Sequence, residues 1–305
     1  MLKFVLRRLL VTVPMVLLVV SLTWGLIRLA PGNFYTGEKV IPHAVERNLR
    51  EKYGLDRPWY VQYGKMIGNT VRGDFGSSLK YTGQSVNSIL AGALPVSATL
   101  GVLAYLVALT GGLVFGSLAA LRQNSRLDYG SMAAAMVGIS VPNFVLGPAL
   151  VLLFSLTWFW LPPARWEGFS THLILPVLTL STVYMAYIAR LTRSGMLEVL
   201  RSNYVRTARA KGLSERAVLL RHALRGGLLP VVSFSGPALA FLITGTVVVE
   251  RIFALPGLGN YFINANLNRD EPLILGIVAF LSIAVLLFNL LVDIAYGLID
   301  PRVRY

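Results

Sequence analysis

The chain has 305 residues, 55% of them hydrophobic and only 14% charged, with a formal net charge of +14 at pH 7. A water-soluble domain of this size carries closer to a quarter charged residues, so the deficit assigns much of the surface to lipid. The absence of cysteine excludes a disulfide framework, a Cys-based metal site and a thiol catalyst. The positive charge leaves nucleic acid and an acidic membrane surface both open until its distribution is known.

A membrane-crossing helix needs about 20 mostly apolar residues, and six blocks in this chain meet that length. The first runs from Leu9 to Ile27, behind Lys3, Arg7 and Arg8. No Ala-x-Ala cleavage site follows it, so it reads as a retained span rather than a removed leader. The second lies near 95–120, inside the charge-free run Tyr81 to Leu121, and the third inside the charge-free run Tyr129 to Ala164. The fourth is near 169–189, the fifth near 226–249 and the sixth near 272–292. Their lengths predict helices rather than the short alternating segments of a membrane β-barrel. The expected fold is all-α and polytopic, with six transmembrane helices.

Charge in the short loops gives the orientation. With the N-terminus inside, the inner segments hold Lys3, Arg7 and Arg8, then Arg122 and Arg126, then nine cations between 190 and 225, then Arg302 and Arg304. The short outer loops hold Arg165, Arg251 and Arg269. Both termini are therefore expected in the cytoplasm. The chain divides into 1–30 (N-terminal end and first span), an outer region 31–94, a core of five spans over 95–297 that includes a loop at 193–227, and a tail 298–305.

The outer region carries Tyr53, Trp59, Tyr60, Tyr63, Phe75 and Tyr81, with turn signals at Gly54, Pro58, Gly73 and Gly76. Short amphipathic helices are predicted over 43–53 and 59–71. Two readings stand side by side: a cap over the outer ends of the spans, or a docking surface for an external partner.

Within the spans, Gly112 and Gly116 form a small-xxx-small pair that lets two helices approach closely. The third span contains Pro142-Asn143 and Pro148, and the fifth contains Ser233, Ser235, Gly236, Pro237, Thr244 and Gly245. Proline at membrane depth frees a carbonyl that neighbours or cavity water must satisfy. These two spans are expected to bend, and Asn143, Ser233, Ser235, Gly236 and Thr244 are candidate residues of a translocation path.

Arg28, Glu250 and Asp293 fall towards span ends, where they can snorkel or pair. No acidic pair lies at a span midpoint, which counts against an ion-coupled carrier. His43, His172 and His222 fit no metal spacing. The stretch Gly32 to Lys39 resembles a phosphate-binding loop, but Glu38 separates Gly37 from Lys39 and Val40 stands where Ser or Thr is required. No catalytic constellation remains, and the chain reads as a non-enzyme without a cofactor or metal of its own.

The stretch from Glu198 to Pro230 is the strongest signal. Arg190, Arg193, Arg201, Arg206, Arg209, Lys211, Arg216, Arg221 and Arg225 face only Glu198 and Glu215. A helix is predicted over 196–210. Gly212 can end it in a left-handed conformation. Ser214 can cap the next helix, with Glu215 at its positive end. On these residues alone three roles stay open. The unit can insert its small-residue tip (Ala208, Ala210, Gly212) into a partner protein, or anchor on anionic lipid at about 1 kcal/mol per cation. The third role, a helix-turn-helix DNA reader, is opposed by the spans that tether both ends.

The segment Tyr204 to Pro230, with its YVRTARAKGL, resembles the cytoplasmic coupling loop of ABC importer permeases in the dipeptide and oligopeptide branch. The general pattern in that family is Glu-Ala-Ala, three residues, then Gly. Aligned on Gly212, Arg206 and Thr207 stand at the first two positions and Ala208 keeps the third. Further markers are MLKFVLRRLL at the start, RLAPG at 28–32, YGLDRPWYVQY at 53–63, GDFGSSLKY at 73–81, LPGLG at 255–259 and DPRVRY at the end. Together they resemble the B-type permease subunit of oligopeptide importers. The resemblance implies a type I ABC importer transmembrane-domain fold in a bacterial inner membrane. It also implies pairing with a homologous second permease, two cytoplasmic ATPases that hold ATP and Mg2+, and an external binding protein that delivers peptide. It places Tyr204, Arg206, Thr207, Ala208, Ala210, Lys211, Gly212 and Leu213 in the ATPase-coupling loop. Nickel, glutathione and sugars are the alternative cargoes within that family; a secondary carrier and a non-transporting membrane scaffold are the alternatives outside it.

Overall fold

The computed structural model describes residues 2–30, 56–244 and 247–299. The helix predicted over 43–53, the Gly32 to Lys39 stretch and the DPRVRY tail lie outside the described residues. The described chain is helical, with one isolated antiparallel bridge between Ser77 and Ser85. The long elements are α1 (Leu2–Leu29), α2 (Trp59–Arg72), α3 (Val86–Leu121), α4 (Arg126–Ser140), α5 (Asn143–Leu150) and α6 (Ile174–Leu200). After them come α7 (Asn203–Ala210), α8 (Glu215–Ala217), α9 (Leu224–Gly227), α10 (Leu229–Thr244), α11 (Val247–Ile252), α12 (Leu258–Leu267) and α13 (Glu271–Ile299). Five helices are long and apolar enough to cross a membrane, and a sixth crossing results if the bent pair α4–α5 is one span.

The third span departs from a simple helix. Its two halves bend by 105° at the break between Ser140 and Asn143. Pro142 sits there as the N-cap of α5 with ψ 144°, an extended conformation that closes one helix before the next begins. Beyond Leu150 the ladder relaxes into a π-helical stretch, Val151–Thr157, just after the proline at 148 removes a backbone donor. Phe154, Trp158 and Trp160 stack at its end with centroids 4.8–6.0 Å apart, in the manner of an interfacial aromatic belt.

The chain forms two compact units. One is built from 96–255 and the end of the chain from 287. Here α3 meets α6 through the Gly112–Gly116 pair. A Cβ on Gly112 would lie 2.6 Å from Ile188 Cβ, and one on Gly116 would lie 2.5 Å from the Ala189 carbonyl oxygen. Only glycine permits that approach. Farther along α3, a Cβ on Gly101 would lie 2.7 Å from the Leu242 carbonyl oxygen of α10. A buried cluster including Leu100, Leu175, Leu242, Phe253 and Leu255 fills the space between these helices. Glu250 is fully buried in the same unit and accepts a 2.6 Å hydrogen bond from Ser97. It does not snorkel, because α11 turns its carboxylate inward onto α3.

Among the described residues, the other unit comprises 2–30, 56–95 and 256–286. Val16, Val20 and Trp24, spaced four apart on one face of α1, pack on Leu275 and Ala279 of α13. The amphipathic helix predicted over 59–71 is α2. Its Tyr63 hydroxyl lies 2.8 Å from Ser21 Oγ, and its ring lies 5.3 Å from Trp24. Arg28 lies 3.5 Å from Glu271, a pairing of the kind expected at a span end. Asp270, fully buried, organises the turn before α13. It accepts from the Ser78 hydroxyl, from the backbone N–H of Leu79 and Lys80 at 3.1 Å, and from that of Leu273 at 3.3 Å.

Candidate functional site

The basic stretch folds into a closed hairpin at the end of α6. Its root is a backbone crossing. A Cβ on Gly195 would lie 2.3 Å from the Gly227 carbonyl oxygen, so the outgoing and returning limbs touch with no side chain between them. Ala120 of α3 joins Met196 and Ala223 in a small buried cluster beneath that crossing.

From the root the chain does not continue as one helix over 196–210. Helix α6 ends at Leu200, and Ser202 turns the chain by donating its hydroxyl to the Val199 carbonyl at 2.6 Å. Helix α7 then begins at Asn203. Its residues Val205 and Ala208, three apart, are buried against Val218 and Val199. That spacing aligns them on one helical face, and the other positions face outward. Tyr204, Arg206, Thr207, Ala210, Lys211 and Leu213 are exposed. Ala208 instead packs inside the hairpin and supports the outer surface from behind.

The tip follows the backbone rules read from sequence. Gly212 has φ +78°. Its N–H donates to the Arg209 carbonyl at 2.9 Å, and the Leu213 N–H donates to the Ala208 carbonyl at 3.4 Å. These two bonds are the Schellman pattern that satisfies the last carbonyls of a helix. Ser214 caps α8, its hydroxyl accepting from the Ala217 N–H at 3.3 Å. Arg209 bridges the tip by a bidentate pair with Glu215, at 2.8 and 3.2 Å. Both partners are exposed to solvent, so the pair is worth at most about 1 kcal/mol. The limb then returns through a π-helical stretch, Val218–Ala223, and α9.

The product is a preformed knob. Its outward surface carries Arg206, Lys211, Arg216 and Arg221 around a short apolar tip.

Sequence reasoning missed the residues that fasten this knob to the spans. Arg193, counted only among the inner cations, donates from Nε to Asp128 Oδ1 at 2.6 Å and from Nη2 to Oδ2 at 2.8 Å. Asp128 lies in the first turn of α4 and is 1% exposed. The two are 65 positions apart, and no local pattern announces the pair. Gly195 and Gly227 were equally silent.

The candidate path residues lie on α5 and α10. Asn143 is half-buried at the start of α5, and its Oδ1 has no hydrogen-bond partner among the described residues. Ser233 is exposed. Ser235 is half-buried and donates to the Val231 carbonyl at 2.7 Å. Gly236 is a packing position, where a Cβ would lie 2.8 Å from Val292 Cγ2 of α13. Thr244 is the last residue of α10, and its side chain lies outside the described residues.

Comparison with known proteins covers the whole chain. The family model described as binding-protein-dependent transport system inner membrane component matches residues 112–305, and the model for the N-terminal part of such components matches 1–99. The oligopeptide transport system permease protein OppB of Haemophilus influenzae is 46% identical over 306 residues, covering 100% of both chains. OppB of Escherichia coli K12 is 45% identical with the same coverage. The dipeptide transport system permease protein DppB of Bacillus subtilis is 41% identical, covering 100% of this chain and 98% of its own. Among solved structures, the MetNI methionine ABC transporter in inward-facing conformations matches with TM-score 0.57 at 16% identity, covering 70% of this chain and 96% of that one. An amino acid ABC transporter with histidines matches with TM-score 0.54 at 17% identity, covering 69% and 94%. These two establish a shared fold.

Proposed function

We propose, for a chain that belongs to the binding-protein-dependent transport system inner membrane components, that its work is to pass peptides through the membrane as one permease subunit of an ATP-driven importer. The observation that carries this reading is the full-length identity of 45–46% with oligopeptide permease proteins. The match includes the outer region and the hairpin alike. A dipeptide permease at 41% identity points to the same peptide class.

In this reading the chain pairs with a homologous permease and the path runs between the two. Asn143, Ser233, Ser235 and Thr244 contribute to its half of the wall. The hairpin tip, from Tyr204 to Leu213, seats in a groove of a cytoplasmic ATPase, and two such ATPases hold ATP and Mg2+. Both termini lie in the cytoplasm. The outer region receives an external peptide-binding protein. The hairpin geometry supports the docking role: a knob transmits force only when its own limbs are held together, and they are in backbone contact at Gly195 and Gly227.

The test is gentle purification of the tagged chain from native membranes with identification of its companions by mass. A second permease and ATPase subunits should co-purify. They should be lost when 204–213 is replaced by a Gly/Ser linker of equal length. Recovery of the intact chain alone under several mild detergents would overturn the reading.

A further inference from the structure

At the level of residues 192–195, helix α6 is fastened on three sides. Thr192 packs over Gly116 of α3, where an added Cβ would lie 2.6 Å from Thr192 Cβ. Gly195 meets the returning limb at Gly227. Between them, Arg193 holds Asp128 of α4 through two short parallel hydrogen bonds. The first two contacts bind α6 to its neighbours in sequence and fold. At this level the third ties it to the bent span through charged, directional hydrogen bonds.

The Asp128 carboxylate is built into its place. Ser125 caps α4 by accepting from the Asp128 N–H at 3.3 Å. The Asn124 N–H donates to Asp128 Oδ2 at 2.9 Å, from a residue held at φ +62°. With Arg193 the carboxylate therefore has three donors and is almost wholly removed from solvent. A bidentate Arg–carboxylate pair fixes orientation as well as distance.

The rest of the α4–α6 seam is largely apolar. On its α4 side Gly130, Ser131, Ala134 and Gly138, with Arg126 and Leu127 nearer the strut, line a groove of about 360 Å³ that Phe115 and Met185 also line. At the far end Gly138 meets Thr182, where a Cβ would lie 3.1 Å from Thr182 Cγ2. Apolar contacts of this kind carry no directional bond, whereas the bidentate ion pair fixes register along the seam.

We propose that Asp128 and Arg193 form a permanent strut that makes α4, and through it the 105° bend at Pro142, move with the hairpin. They are positioning residues for transport: they carry a displacement and touch neither peptide nor ATP. The proposal rests on the hairpin being the ATPase-docking element. Without the strut the hairpin still docks and the ATPases still turn over, but α4 slips along α6 and the third span does not follow.

The test uses the assembled complex in lipid nanodiscs for ATPase rate and in proteoliposomes for peptides imported per ATP hydrolysed. Asp128→Asn should assemble with its companions and keep its ATPase rate, while peptide per ATP falls by about fivefold or more, the scale of an ordinary inter-site coupling. Because this chain has no cysteine, the double variant Asp128→Cys/Arg193→Cys can be bridged by a short bifunctional thiol reagent. The same folded molecule should be uncoupled before the reagent and recoupled after it. A normal ratio in Asp128→Asn, or a bridge that blocks import, would overturn the strut while companion capture leaves the docking role standing. Failure of the unaltered chain to capture ATPases would remove both.

Discussion

Replacing Gly195 by alanine tests the hairpin's construction most directly. A methyl there would lie 2.3 Å from the Gly227 carbonyl oxygen and 3.1 Å from its carbonyl carbon. An ordinary carbon–oxygen contact needs about 3.3 Å, so the limbs must part by roughly 1 Å at the root, a strain on the scale of overpacking, about 1–3 kcal/mol. The neighbour cannot yield as a side chain would, because the obstructing atom belongs to the backbone. The same crossing seen from the other side behaves differently. A methyl on Gly227 would lie 3.1 Å from Met196 N and Cα, a contact relieved by a few tenths of an ångström. Gly195→Ala should therefore lower the complex's thermal midpoint, expose the hairpin to protease and reduce peptide imported per ATP. Gly227→Ala should be mild in all three assays. Equal behaviour of the two variants, or a wild-type Gly195→Ala, would refute the view that the root is a backbone-to-backbone contact.

Gly212→Val should assemble poorly with ATPases and uncouple hydrolysis from uptake while inserting normally. No atom blocks a Cβ there, but φ is +78°, and a β-branched residue at positive φ is a true outlier; co-purification and uptake assays check both halves. Arg209→Ala should leave import unchanged and cost under about 1 kcal/mol, because its pair with Glu215 is exposed; a large loss of coupling would show that Arg209 contacts a partner instead. Asp270→Asn should loosen the 77–81 turn, since the amide keeps one acceptor oxygen and turns its NH2 towards the N–H of either Leu79 or Lys80, at about 1.5–3 kcal/mol for each charge-assisted bond lost; faster trypsin cleavage after Lys80 is the readout.

The spans and the hairpin tip were legible because their rules are local. Apolar length marks a span, and Gly212 followed by Ser214 marks a stop and a start within three residues. The helix predicted over 196–210 failed at Ser202, whose hydroxyl serves the preceding turn; a lone Ser in a basic helix gives little warning of that. Pro142 announced a bend, but its 105° angle is set by what each half packs against. Asp128 with Arg193, Asp270 with the 77–81 turn, and Gly195 with Gly227 join positions tens to hundreds of residues apart. Their chemistry is visible only once the fold has brought them together.

The closed root has a thermodynamic consequence for assembly. A flexible loop entering a groove must surrender its freedom on binding, at about 1–2 kcal/mol for each backbone residue fixed. In the hairpin that ordering has already occurred within the chain itself, through the crossing at Gly195, the buried face of Val205 and Ala208, and the Schellman turn at Gly212. Association can then be strong through a small contact area, because little is left to order when the partner arrives. The same preordering sets a limit: under the proposed docking role, a partner whose groove differs in shape would meet a knob already ordered, and the fit would also discriminate among partners.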